Sequence, residues 1–212
     1  MSARAAAPAA AAVCQPLLIS PPRLDPPTFA AALEAALAGG GAAGFLLRLA
    51  EPERGLLDAA AARLQPVCAA REVAFLLQDD VALALELGAD GVHLRNVSGV
   101  AVARQALGAE RILGAACGAS RHAAMVAGDA GADYIAFGDP ERPLTDALGE
   151  LIGWWSELFV LPCLAEGDLA LADCATLARR GAHLIGVSGL VWQHPEGPGR
   201  GMTAVLAALA AG

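Results

Sequence analysis

The chain has 212 residues, enough for one sizeable domain, and 56% of them are apolar, a share swollen by alanine. Its formal net charge of −8, with no basic cluster, argues against a nucleic-acid-binding face. No run reaches the length of a membrane-spanning helix, so the expectation is a soluble, cytoplasmic protein with no membrane partner.

Residues 1–12 form an Ala-rich stretch broken by Pro8 and lacking large apolar side chains, the composition of a disordered tail and not of a signal peptide. Residues 13–212 make the folded domain, in which apolar runs alternate with helical patterns. Val13–Ile19 is a strand, and a Pro-rich segment leads into a helix starting near Thr28 and ended by Gly39-Gly40-Gly41. Strand Gly44–Leu49 and helix Pro52–Ala70 come next. The segment Val73–Asn96 then reads as strand (Val73–Leu77), polar tip (Gln78-Asp79-Asp80), helix closed by Gly88, strand (Gly91–Leu94) and a second polar tip at Arg95-Asn96. Polar groups between a strand and the following helix lie at the strand's carboxyl end, where parallel α/β folds bind ligands; Asp79 or Asp80 also suits a helix N-cap.

Beyond this segment, Ser98–Leu107 is helical, Arg111–Ala116 a strand, Ala119–Ala130 a helix and Asp133–Phe137 a strand. A loop over Gly138–Pro143 precedes helix Thr145–Glu157, strand Phe159–Ala165, helix Leu169–Arg180 and strand His183–Val187. A Gly- and Pro-rich loop, Gln193–Gly201, leads to a final helix, Met202–Ala210. Eight strands alternating with eight helices predict a single (β/α)8 TIM barrel, with a doubly wound open sheet as the alternative. The turn Gly88-Ala89-Asp90-Gly91-Val92 recurs as Gly131-Ala132-Asp133-Tyr134-Ile135 and, more weakly, as Gly181-Ala182-His183-Leu184-Ile185, the repetition expected of equivalent barrel units. The five cysteines are scattered and odd in number, which fits buried free thiols and neither a disulfide framework nor a zinc site. The Ala-rich outer helices and the pair Trp154-Trp155 suggest a homo-oligomer contact or packing over the outside of the barrel.

The order QDDVALALELGADGVHL, RILGAAC, AGADYIAFG, LPCLAEGDL and GAHLIGVSGL resembles the thiamine phosphate synthase and thiazole tautomerase family over residues 13–211. The resemblance implies a (β/α)8 barrel that couples a pyrimidine diphosphate to a thiazole phosphate with release of pyrophosphate. It also implies magnesium, small phosphorylated substrates and no organic cofactor. Carried over residue by residue, it makes Arg48 a diphosphate ligand, Gln78 a binding amide, Asp79 a magnesium ligand and Ser188 the eighth-strand hydroxyl. Gly167 keeps one glycine of the family's Gly-Gly turn, next to Asp168. Several positions depart from the family. Ser98 aligns with the second metal-binding Asp, Ala116 replaces a serine, Ala50 replaces a lysine, and Arg95 replaces a glycine, as a candidate phosphate ligand whose cation either repels a divalent ion or replaces part of its charge. DPERPLTDA stands in place of the phosphate-gripping Thr-x-Thr-Lys, where Arg142 offers a loose substitute. Gly118 occupies the position of the tautomerase histidine, His122 is expected to face solvent, and His93 to be structural. The resulting expectation is a synthase with a degraded site. The alternatives are a family member that binds another phosphorylated ligand or a protein partner, and an isomerase using Asp79 as base.

Overall fold

A computed structural model describes residues 13–50 and 53–212; the expected tail and Pro52 lie outside the described residues. The strands are β1 (Gln15–Ile19), β2 (Gly44–Leu47), β3 (Ala74–Gln78), β4 (Gly91–Leu94), β5 (Ile112–Gly118), β6 (Tyr134–Pro143), β7 (Cys163–Asp168) and β8 (Leu184–Val187). Each pairs in parallel with its neighbours, and β1 pairs with β8, which closes the sheet. The structure is therefore a (β/α)8 barrel and not an open sheet.

Period-2 alternation sends successive side chains to opposite sides of the barrel wall. Leu17, Leu46, Leu76, Tyr134 and Leu164 point inward and fill the interior, while Phe45, Phe75, Leu77, Ile135 and Ala165 pack outward against the helices. Two glycines make room inside. A Cβ on Gly114 would lie 2.1 Å from the Tyr134 ring, and one on Gly91 would lie 2.1 Å from the Ile112 carbonyl oxygen. The ring of Tyr134 thus occupies space that any side chain at position 114 would take.

The helices are α1 (Pro26–Ala38), α2 (Arg54–Ala69), α3 (Val81–Leu87), α4 (Val100–Leu107), α5 (Arg121–Asp129), α6 (Asp146–Leu158), α7 (Leu171–Arg179), α8 (Gly189–Trp192) and α9 (Pro198–Ala210), with a 3-10 turn at Val97–Gly99. Asp25, Asp80, Ser120 and Thr145 cap α1, α3, α5 and α6 through their side chains. Three boundaries differ most from expectation, the others by about two residues. The Gly138–Pro143 loop is extended and belongs to β6, whose Pro143 pairs with Asp168 of β7 after a register shift. Strand β7 begins at Cys163 because Phe159 ends α6 and stacks on Trp155 at 4.0 Å, with Pro162 just ahead of the strand. The final loop contains the short α8, and α9 starts at Pro198, a residue suited to a helix's first position.

The repeated turns behave alike at the amino ends of the strands. Gly88, Gly131 and Gly181 have φ of 66°, 96° and 95°, the left-handed conformation glycine adopts freely after a helix. The residue two positions later then accepts a backbone N–H from an earlier strand. Asp90 accepts from Phe75 at 2.7 Å, Asp133 from Leu113 at 2.7 Å, and His183 Nδ1 from Cys163 at 3.4 Å. The weaker third copy in the sequence is also the longer bond.

Trp155 is buried, donates its indole N–H to the Leu161 carbonyl at 2.8 Å, and so is a core residue. Trp154 is half-buried and carries the Arg121 guanidinium over its ring at 4.5 Å. All five cysteines are free, four of them buried, and burial pushes Cys68 and Cys117 up to about 12. No helix among the described residues is long and apolar enough to cross a membrane.

Candidate active site

A cleft of about 1580 Å³ opens at the carboxyl ends of the strands. In barrels of this type that face is built from the βα loops and carries the chemistry. Its floor is one polar layer above the apolar interior. Arg48 follows Leu46 by two residues, Gln78 follows Leu76, and Glu166 follows Leu164, so each points inward; His93 lies between the outward Val92 and Leu94 and points inward too.

Glu166 is the centre of this layer. It is 3% exposed, and its carboxylate accepts from Arg48 Nη2 at 2.9 Å and Nη1 at 3.4 Å, a forked pair from β7 to the end of β2. Ser20, at the end of β1, fixes the Arg48 backbone: its hydroxyl donates to the Arg48 carbonyl at 2.8 Å and accepts from the Arg48 N–H at 2.9 Å. His93 Nδ1 pairs with the Tyr134 hydroxyl at 2.8 Å, while its Nε2 lies 3.8 Å from Glu166 Oε1. Burial lowers the His93 pKa, opposed by the nearby Glu166 and reinforced by Arg48, so the ring is held neutral. Burial likewise pushes the Tyr134 hydroxyl above its usual range.

Three buried atoms of this floor have no hydrogen-bond partner: Arg48 Nε, Gln78 Oε1 and His93 Nε2. Buried polar groups are normally hydrogen-bonded, which sets these three apart from the other buried side chains among the described residues. All three side chains line the cavity, and the three atoms themselves lie buried beneath its surface.

The expected site residues divide into two groups. Arg48, Gln78, Arg95, Gly167 and Ser188 all line the cleft. Asp79 and Ser98 do not. Asp79 has a left-handed backbone, φ 62°, and both of its oxygens are taken by Arg95, Oδ1 by the backbone N–H at 2.8 Å and Oδ2 by Nε. Ser98 donates its hydroxyl to Asn96 Oδ1 at 2.5 Å and is exposed. Helix capping falls to Asp80, which accepts the Leu83 N–H at 2.9 Å. Gly167 is needed by its own surroundings, since a Cβ there would lie 2.9 Å from Leu169 Cδ2 and 3.0 Å from the Arg142 carbonyl oxygen. Arg142 is exposed and paired with Asp139 at 3.2 Å, and His122 faces solvent as expected.

A family profile described as thiamine monophosphate synthase matches residues 17–191. The chain belongs to this family. A thiamine-phosphate synthase from Rhodospirillum centenum is 42% identical over 192 residues, covering 87% of this chain and 92% of that protein. One from Erythrobacter litoralis is 44% identical over 161 residues, covering 70% of this chain and 68% of that protein. The solved thiamine phosphate pyrophosphorylase of Pyrococcus furiosus superposes with a TM-score of 0.80 over 94% of this chain and 96% of its own, at 23% identity, which speaks to the shared fold.

Family membership brings magnesium into question, and the residues present do not fit it. Asp79 spends both oxygens on Arg95, and Ser98 supplies a hydroxyl already bonded to Asn96. Among the described residues no three His, Cys, Asp or Glu side chains gather in a way that could hold a metal ion.

Glu166, Tyr134 and Ser20 are the site residues that the sequence reading misses. For Glu166 a signal existed: in Leu164-Ala165-Glu166 the alternation places a carboxylate on the inward face of a buried strand. Nothing in the sequence showed its partner, 118 residues away. His93 was expected to be structural; it is buried as a structural residue is, yet it forms part of the cleft floor.

Proposed function

We propose that this protein is a thiamine-phosphate synthase that joins a pyrimidine diphosphate to a thiazole phosphate in the cleft at the carboxyl end of the barrel. The observation that carries this is the polar floor with three unpartnered buried atoms, set in the catalytic face of a chain belonging to the synthase family. In the reaction the carbon–oxygen bond to the diphosphate breaks, its electron pair leaves with pyrophosphate, and the thiazole nitrogen donates the pair that forms the new carbon–nitrogen bond.

The chain's own groups suit such a step. Positive charge develops on the pyrimidine carbon as the diphosphate leaves, and a neutral His93 adds no opposing cation beside it. The Glu166 carboxylate at the floor is a fixed negative charge, partly balanced by Arg48. Arg48 and Gln78 bring polar side chains to the cleft floor that would orient a polar ring, while Gly167 and Ser188 line the cleft where a phosphate would lie. No step is routed through magnesium, because the groups that would hold it are occupied.

One observation favours a second reading, a family member that binds a less highly charged phosphorylated ligand and has lost the coupling reaction. Four arginines line the cleft against five carboxylates, a weak balance for holding a diphosphate and a phosphate together. Supplying purified protein with a pyrimidine diphosphate and a thiazole phosphate separates the two. The synthase reading expects pyrophosphate release that requires both substrates. Folded protein that binds the thiazole phosphate yet releases nothing supports the second reading and removes the first.

A further inference from the structure

The family's chemistry calls for a metal at the tips of the third and fourth strands, and this chain has placed a guanidinium there. Arg95 clasps both oxygens of Asp79 with its backbone N–H and its Nε. Of the side chain itself, only Nε is used. Both terminal amino groups remain without a hydrogen bond among the described residues, on a side chain that is 71% exposed and lines the cleft. Of the pair, Arg95 lines the cavity and Asp79 lies outside its lining. Its backbone is fixed as well: the Asp79 N–H donates to the His93 carbonyl at 3.0 Å, in a left-handed conformation that non-glycine residues adopt at a cost. Ser98, the other position of the implied metal site, has turned its hydroxyl to Asn96.

We propose that Arg95, braced by Asp79, takes the place of the divalent ion as the ligand of the diphosphate group, so that this protein binds a diphosphate without magnesium. A guanidinium suits that role because its planar donors match two phosphoryl oxygens at once and its charge does not depend on pH. Asp79 holds the plane in position, so less side-chain freedom is lost when the anion arrives. The choice of a diphosphate as ligand rests on the synthase reading; the loss of the metal site rests on the side-chain contacts alone.

The test is calorimetric titration of the full chain with inorganic pyrophosphate, in EDTA and in magnesium. Binding is expected in EDTA and is not strengthened by magnesium, whose complex with pyrophosphate offers the guanidinium less negative charge. Arg95→Ala is expected to weaken binding in EDTA by about tenfold or more, the scale of one lost charge-assisted contact. Asp79→Asn is expected to weaken it less. Arg95→Gln, which keeps the side-chain length, replaces Arg95→Ala if circular dichroism shows that the latter fails to fold. Wild-type binding that requires magnesium, absence of binding in both conditions, or a folded Arg95 variant with unchanged affinity overturns the assignment. Turnover of the two substrates is measured alongside in EDTA and in magnesium. Tight metal-free binding with no turnover in either condition removes the synthase reading and leaves Arg95 in place, whereas turnover in magnesium that stops in EDTA does the reverse.

Discussion

The two ends of the barrel treat polar groups in opposite ways. At the amino end, Asp90, Asp133 and His183 each accept a strand N–H, and Arg104 donates further bonds to Asp133 and to the Gly131 carbonyl. At the carboxyl end, Arg48, Gln78 and His93 keep buried atoms with no partner. The amino end spends its polar groups on holding the fold together, and the carboxyl end keeps three of them unpaired beneath the cleft. This division matches the general behaviour of such barrels, in which one face carries stability and the other chemistry.

The comparison is broken most strongly at Glu166. Glu166→Ala leaves the Arg48 guanidinium without its counter-charge and should cost about 3–5 kcal/mol of stability, read from urea unfolding. Replacing both partners by leucine should restore most of that stability while abolishing ligand binding. A single variant as stable as the wild type would mean that the pair is not what holds Arg48.

Smaller losses are expected at the other end. Asp90→Ala and Asp133→Ala each leave one strand N–H without its acceptor, which should cost about 1–3 kcal/mol, with little effect on affinity for a phosphorylated ligand. A large affinity loss in either variant would dissolve the distinction between the two faces.

The smallest effect is that of pH. Burial depresses the pKa of His93 and of His183, so both rings are neutral in the fold. The unfolded chain takes up these protons near pH 6.5, roughly the ordinary histidine value. Stability is therefore complete above that pH and falls as the pH drops toward the depressed folded values, by up to about 1.4 kcal/mol per unit for the buried His93 and by less for the partly exposed His183. His93→Gln should flatten the decline; an unchanged slope would show that His93 is not held neutral.

How much of this was legible depended on distance along the chain. The Gly-Ala-Asp turns could be read because the helix end, the left-handed glycine and the acceptor two residues on are all local. Their repetition then identified the barrel. The cleft floor could be read only in part. Arg48 and Gln78 stood at strand ends where the family resemblance pointed, but Glu166 gains its meaning from a partner 118 residues away. The Asp79–Arg95 clasp spans only 16 residues and both of its members were singled out, yet which of them faces the cavity is decided by the backbone of Asp79, φ 62°, which no residue pattern displays. The extended arm of β6 through Pro143 looks like a loop in the sequence because its prolines and charges are loop residues by composition.

One spectrum can test the contrast between the two ends. Protein labelled with 15N in its histidine rings would be titrated with a pyrimidine diphosphate while the side-chain nitrogens of His93 and His183 are followed together. Ligand binding at the polar floor should move the His93 Nε2 resonance and leave His183 Nδ1 where it was. Saturable binding that leaves His93 unmoved, or that shifts His183 instead, would contradict the assignment of the carboxyl-end floor as the ligand site.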